Sequence, residues 1–468
     1  MVYTQGLPVR ARQQQRRVLA PVLGLIALGI CGLVVLGVVT SEVGIGAVIG
    51  GAFIALLPVG PVVAAFLWAD RWEPEPPRLL LVAFLWGACV ATLTALVINS
   101  SAALAADEVL GKGSGDVIGA TVAAPIVEEA VKGAFLIGLV IWRRREFDGV
   151  IDGIVYAGLV AAGFAFTENI LYIGRAFAEE AAAGQSGLVV TVLVLRGLFS
   201  PFAHPLFTAM MGIGVGIAAL SRNKAVRVLA PLAGYLVAVL LHALWNGSAA
   251  LGGGEGFLAV YVFIMVPLFA GMITFVVLQR RREQRVVAAA LPGFAQAGWV
   301  APSEIELLSS LAGRRGWRSA VQRHSGKEAA KAVGDYQAAV TELAFLRNRF
   351  ARGLVDPQDR GWHDELLSVL GQARRRAMGM PEALTAAFQR PPLGWSPPPP
   401  LPPGWVPPPP PPPWAAGWRQ QPPASAQRSW PAQPPPSPNW EQPTQQLRPQ
   451  NWMQRQPPPP GGGQPPRR

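Results

Sequence analysis

The chain has 468 residues, 51% of them hydrophobic, and a formal net charge of +12. Its two cysteines, Cys31 and Cys89, both fall in apolar stretches, which excludes a disulfide framework and a metal knuckle. The excess of Lys and Arg is spread over loop flanks and the C-terminal region rather than gathered in one patch, so no nucleic-acid partner is expected.

In chain order, eight apolar windows are long enough to cross a bilayer, which takes about 20 residues at roughly 1.5 Å each. They cover residues 18–40, 43–68, 79–104, 117–142, 150–173, 188–220, 228–251 and 257–278. The first is too long for a cleaved signal peptide and lacks a small-residue cleavage site, so it reads as a retained span. Basic residues flank alternate loops: Arg12, Arg16 and Arg17, then Arg71 and Arg78, residues 143–145, Arg222, Lys224 and Arg227, and residues 280–282. The other loops carry acids: Glu42, then Asp107, Glu108 and Asp116, then Glu179 and Glu180, then Glu255. Lys and Arg are retained on the cytoplasmic side, so a multi-pass protein of the cell membrane with both termini in the cytoplasm is expected.

After the last window the sequence becomes polar and helical. Ser303 with Glu306 offers a capping box, and apolar residues recur at three-to-four spacing within residues 329–350. From residue 391 Pro, Gln, Trp and Arg dominate, a composition that buries no core. The expected fold class is all-α, a polytopic membrane helix bundle with about eight transmembrane helices, a small helical region and a disordered Pro-rich tail. Its expected parts are a cytoplasmic N-terminus at 1–17, a transmembrane domain at 18–279, a cytoplasmic helical region at 280–390 and the tail at 391–468. The PxxP runs of the tail offer docking for SH3-like or WW-like partners.

Several ionisable residues break the apolar windows: Glu128, Glu129 and Lys132, Glu168 with Asn169, Arg196 with His204, and His242 with Asn246. A charge at mid-membrane costs at least about 2.5 kcal/mol on insertion scales, so such residues face a bundle interior or water and mark function. Counted along each helix, Glu128, Glu168, His204 and His242 lie roughly 22 to 27 Å from their cytoplasmic flanks, four helices presenting an acid or imidazole at one level. Such a cluster can hold a divalent metal such as zinc, or polarise a water directly, with one Glu as general base. Glu168, His204 and His242 are the expected metal set, Glu128 the water-activating base. Lys132, one turn below Glu128, can pair with it, while Glu129 points about 100° away and serves a different purpose. Pro201 and Pro205 are expected to break the sixth window near Arg196.

These residues resemble the motifs of the PrsW family of bacterial intramembrane proteases, relatives of the CAAX-processing and bacteriocin-immunity membrane proteases. "EEAVK" (128–132) is similar to EExxK, "FAFTEN" (164–169) to FxxxE, "HPLFTAMMG" and "HALWN" to the later histidine motifs, and "DRWEPEPPRLL" (70–80) to a DRxEPEP signature. The resemblance spans roughly residues 56–278. It implies hydrolysis of peptide bonds in membrane-anchored proteins, anti-sigma factors among them. It also implies catalytic roles for Glu128, Glu129, Glu168, His204 and His242, with Asn246 helping to stabilise an oxyanion. Either bound zinc or a glutamate-activated water alone is compatible with it. The rival readings are a proton- or ion-coupled transporter, for which no internal repeat is visible, and a non-catalytic scaffold acting through the tail, which would leave the aligned charges without a purpose.

Overall fold

The computed structural model describes residues 19–388 apart from 144–146, 148, 185, 355, 356 and 381. The N-terminal segment 1–17 and the Pro-rich tail, with its SH3-like or WW-like docking runs, lie outside the described residues. The described residues form helices and no strand. They are α1 (Leu19–Val43), α2 (Ile45–Ala69), α3 (Pro77–Leu110), α4 (114–142), α5 (Val150–Ala183), α6 (188–199), α7 (Ala203–Ala219), α8 (Lys224–Leu251) and α9 (Gly253–Gln296). Beyond them come α10 (Ile305–Leu308), α11 (Leu311–Ala351), α12 (Pro357–Met378) and α13 (Thr385–Phe388). Seven helical stretches are long and apolar enough to span a membrane, the broken pair α6–α7 counting as one. Helix α4 is as long, but Glu128, Glu129 and Lys132 put three charges in its middle, where the most apolar stretch of each other span holds at most two.

Helix α5 is the axis of the bundle. Of its most apolar stretch 94% is buried inside the protein, against 17% for α1 and α8 and 11% for α9, whose apolar faces are left for lipid. It packs against α2, α3 and α7, and α7 packs in turn against α8. Lipid tails supply no hydrophobic drive between helices, so close contact comes from small residues. A Cβ at Gly163 would lie 1.9 Å from the Phe84 carbonyl oxygen of α3, and one at Gly153 2.1 Å from the Gly212 carbonyl of α7. The helix starts where the Asp152 carboxylate accepts the Gly149 N–H at 2.7 Å, capping an otherwise orphan donor.

Four π-helical turns interrupt these helices, at Trp86–Ala91, Gly119–Ala123, Leu195–Phe199 and Tyr261–Met265. Three of them end two residues before a proline: Pro125, Pro201 and Pro267. Proline has no N–H and its ring crowds the carbonyl four residues back, and the wider turn relieves that crowding. Before Pro125 and Pro267 the helix continues. Before Pro201 it stops, and residues 200–202 separate α6 from α7 as the two prolines suggest.

The polar helical region wraps a second core around Trp317, Tyr336 and Leu343, with α11 kinked at Gly326, whose φ is 84°. The end of α9 joins this core through Val287, Leu291 and Phe294. So does Trp72 from the α2–α3 loop, only 3% exposed, with the Arg314 guanidinium 4.9 Å from its ring centre. That loop is also fixed to the bundle axis, because Asp70 Oδ2 accepts the Glu75 N–H at 2.9 Å and the Tyr156 hydroxyl of α5 donates to Glu75 at 2.8 Å. Only the back-bonding half of the capping box forms, and two residues earlier than Ser303 and Glu306 suggest. Pro302 takes the first helical position, so Glu304 reaches back to the Ala301 N–H at 2.8 Å.

Candidate active site

Helices α4, α5, α7 and α8 bring Glu128, Glu129, Lys132, Glu168, His204 and His242 into one buried cluster. Lys132 is fully buried at its centre. Its Nζ lies 3.2 Å from Glu128 Oε2, 2.9 Å from Glu129 Oε1 and 3.3 Å from His204 Nδ1, and sits 3.9 Å from the centre of the Phe164 ring. One ammonium thus balances two adjacent carboxylates where water cannot.

The two glutamates of the pair are held differently. Glu129 is saturated: it bonds Lys132 and His242 Nδ1 (3.1 Å) through one oxygen and accepts the Thr208 hydroxyl at 2.7 Å through the other. Glu128 accepts from Asn99 Nδ2 at 3.3 Å and from Lys132, and its Oε2 lies 3.9 Å from His242 Nε2. Glu168 accepts from Arg196, bonds His204 Nε2 at 2.9 Å, and keeps 19% of its side chain exposed. Arg196 Nε also donates to Asn169 at 2.6 Å, and its guanidinium lies over the Tyr172 ring.

Each imidazole therefore has one nitrogen on a carboxylate and the other toward the interior. Glu168 holds His204 and Glu129 holds His242. Their rings are packed between Phe164 and Phe207, which fixes their planes. Glu128, His204 and His242 each offer a ligand atom, and these atoms lie within 4.8 Å of one another. The converging set thus includes Glu128, while Glu168 stands one layer behind His204. A carboxylate with two imidazoles is the donor set of a three-ligand catalytic zinc site, and a carboxylate behind each histidine is the arrangement that orients such ligands. The three carboxylates share the cluster with two cations, Lys132 and Arg196. The donor chemistry fits a divalent metal.

Asn246 is committed elsewhere. Its Nδ2 donates to the Ala120 carbonyl at 2.8 Å. That carbonyl lies in the π turn before Pro125, where the residue five positions on has no N–H to give. Thr208 and Asn99 take part without having been expected as site residues, and Arg196, singled out only as a charge in the sixth window, pairs with Glu168. Thr208 was visible in principle, since it lies one turn after His204 on the same helix face. Beside His204, a cavity of about 20 Å³ touched by Asn169, Arg196 and Trp245 has room for a single water.

Residues 75–272 match the description "PrsW family intramembrane metalloprotease". Protease PrsW of Clostridioides difficile (strain 630) is 30% identical over 195 residues, 41% of this chain and 76% of the relative. Protease PrsW of Geobacillus kaustophilus (strain HTA426) is 31% identical over 191 residues, 40% of this chain and 76% of the relative. The chain belongs to the PrsW family. It is an intramembrane protease, a multi-pass membrane protein whose substrates are membrane-anchored. Protease PrsW of Bacillus subtilis (strain 168) is 27% identical over 164 residues, 66% of that relative. No solved structure matches the chain. The PrsW match contains every charge of the cluster and stops short of the polar helical region, so that region is an addition to the part the family shares.

Proposed function

We propose that this PrsW protein cuts a membrane-anchored regulator, of which an anti-sigma factor is one class, at a peptide bond presented to Glu128, His204 and His242. The observation that carries the reading is the convergence of those three side chains from three helices, each imidazole backed by its own carboxylate. Glu128, His204 and His242 would hold a divalent metal, zinc being the best match to one oxygen and two nitrogens. Such a metal supplies Lewis-acid polarisation and lowers the pKa of a water.

The chain's own residues do the rest. Glu128 touches Lys132 through one oxygen and Asn99 through the other, and the oxygen not spent on the metal takes the proton of the attacking water. Lys132 places one positive charge within ion-pair distance of both acids in an apolar bundle. Glu129 and Glu168 lock the imidazole planes, and Thr208 locks Glu129. The break at 200–202 interrupts the bundle wall beside His204 and gives an extended substrate segment a place to enter. The alternation of basic and acidic loops supports both termini in the cytoplasm.

The experiment is comparative membrane proteomics of cells carrying wild type, Glu128→Gln or His204→Ala at equal membrane levels. One or more membrane-anchored proteins should accumulate uncut with each variant. Unchanged cleavage with both would remove Glu128 and His204 from the chemistry.

A further inference from the structure

A second cavity lies beside the small one that His204 lines and has no part in the chemistry above. Its volume is about 100 Å³, and Phe199, Phe202, Leu206, Trp245, Tyr261 and Phe269 form most of the wall. We infer that it is the specificity pocket of the protease, receiving an aliphatic side chain of valine to leucine size next to the bond being cut. The inference rests on cleavage occurring beside His204.

Four observations support this occupant. The cavity shares Pro201, Ala203 and Trp245 with the smaller water-sized cavity that His204 lines, and Ala203 is the covalent neighbour of His204. A side chain seated here therefore brings its own backbone to the histidine. The volume suits an aliphatic side chain, because about 100 Å³ is far more than the roughly 15 Å³ one water needs and less than the ~150 Å³ that takes benzene. The wall joins two sides of the bundle through ring contacts, Phe199 to Tyr261 at 5.2 Å and Phe202 to Phe269 at 4.9 Å. Both sides carry a π turn, Leu195–Phe199 and Tyr261–Met265, features that gather at functional sites. At the rim Leu198 is 70% exposed and Val266 45%, so the cavity opens to the face of the bundle that lipid covers. A membrane-anchored chain arrives from that side.

The test uses the full-length protein in lipid nanodiscs and a mixture of single-span peptides randomised at successive core positions, with products sequenced by mass spectrometry. Wild type should enrich Val, Leu or Met over Phe and Trp at one position beside the cut. Leu206→Phe fills the cavity and should move that preference about tenfold toward Ala and Ser, the scale on which apolar pockets discriminate by size. Phe269→Ala enlarges it and should admit Trp at the same position. The opposite directions keep the test decisive if one variant fails to fold. The inference is overturned by no size preference in wild type, or by one preference shared by wild type and both variants. It is equally overturned if a phospholipid retained by wild type is lost in Leu206→Phe while the preference stays, since the cavity is then a lipid seat. Full cleavage by Glu128→Gln would instead sink the mechanism above and leave the pocket's preference readable.

Discussion

Glu128 and Glu129 are adjacent, yet the helical period turns them to different partners, and the difference predicts different losses. Glu129 is held on both oxygens, by Thr208 on one and by Lys132 and His242 on the other, which fits the orienting role proposed for it. Removing its Thr208 partner leaves a buried carboxylate short of a donor. Thr208→Val should lower stability by about 1–3 kcal/mol, measured as unfolding in detergent, with the cleavage site unchanged. Glu168 stands behind His204 as Glu129 stands behind His242. Glu168→Gln keeps the shape but loses the charge that orients the imidazole, and metal affinity should fall about 10–100-fold in equilibrium titration. Part of this was legible from residue identity alone, because acids and histidines that break apolar windows are conspicuous. The partition into a converging set and an orienting layer was not. It depends on rotation about each helix axis, and a count along the chain supplies only depth.

Helix lengths and the break before α7 could be read from apolar runs and prolines, but the π turns could not. They are the backbone's response to Pro125, Pro201 and Pro267 in particular packing surroundings, and sequence alone offers a kink or a break as readily. Asn246 shows the consequence. As part of a histidine motif it invites an oxyanion role, whereas in the fold it supplies the donor that the Ala120 carbonyl lacks next to Pro125. Asn246→Ala should therefore destabilise the protein by about 1–3 kcal/mol through an unsatisfied buried carbonyl, read as a lower unfolding temperature in detergent. The approach of α3 to α5 is equally specific. With a Cβ at Gly163 only 1.9 Å from the Phe84 carbonyl, Gly163→Val should separate the two helices and shift Glu168, costing folding yield and activity together.

At the scale of the molecule, the polar region is tied to the membrane bundle through the loop at 70–76, which carries the acidic "DRWEPEP" run. Trp72 enters one core while Glu75 holds the axis of the other. This joint is invisible to periodicity, because a tryptophan in a polar loop has no repeating neighbours to declare its face. Burial pushes the Asp70 carboxyl up to about 7, against the opposing effect of the Glu75 N–H bond. The unfolded chain releases that proton near pH 4, so folding stability should fall as the pH rises from about 4 to about 7 and level off above it. Asp70→Asn should remove this slope, measured as unfolding temperature against pH. The account as a whole turns on whether Glu128, His204 and His242 hold a metal. Elemental analysis of the purified full-length protein, set beside its cleavage activity before and after chelation, reads this most directly. The expected result is about one zinc per chain in wild type, lost with His204→Ala or His242→Ala, with activity removed by chelator and restored by zinc. Metal-free wild-type protein that cleaves its substrate at full rate would contradict it.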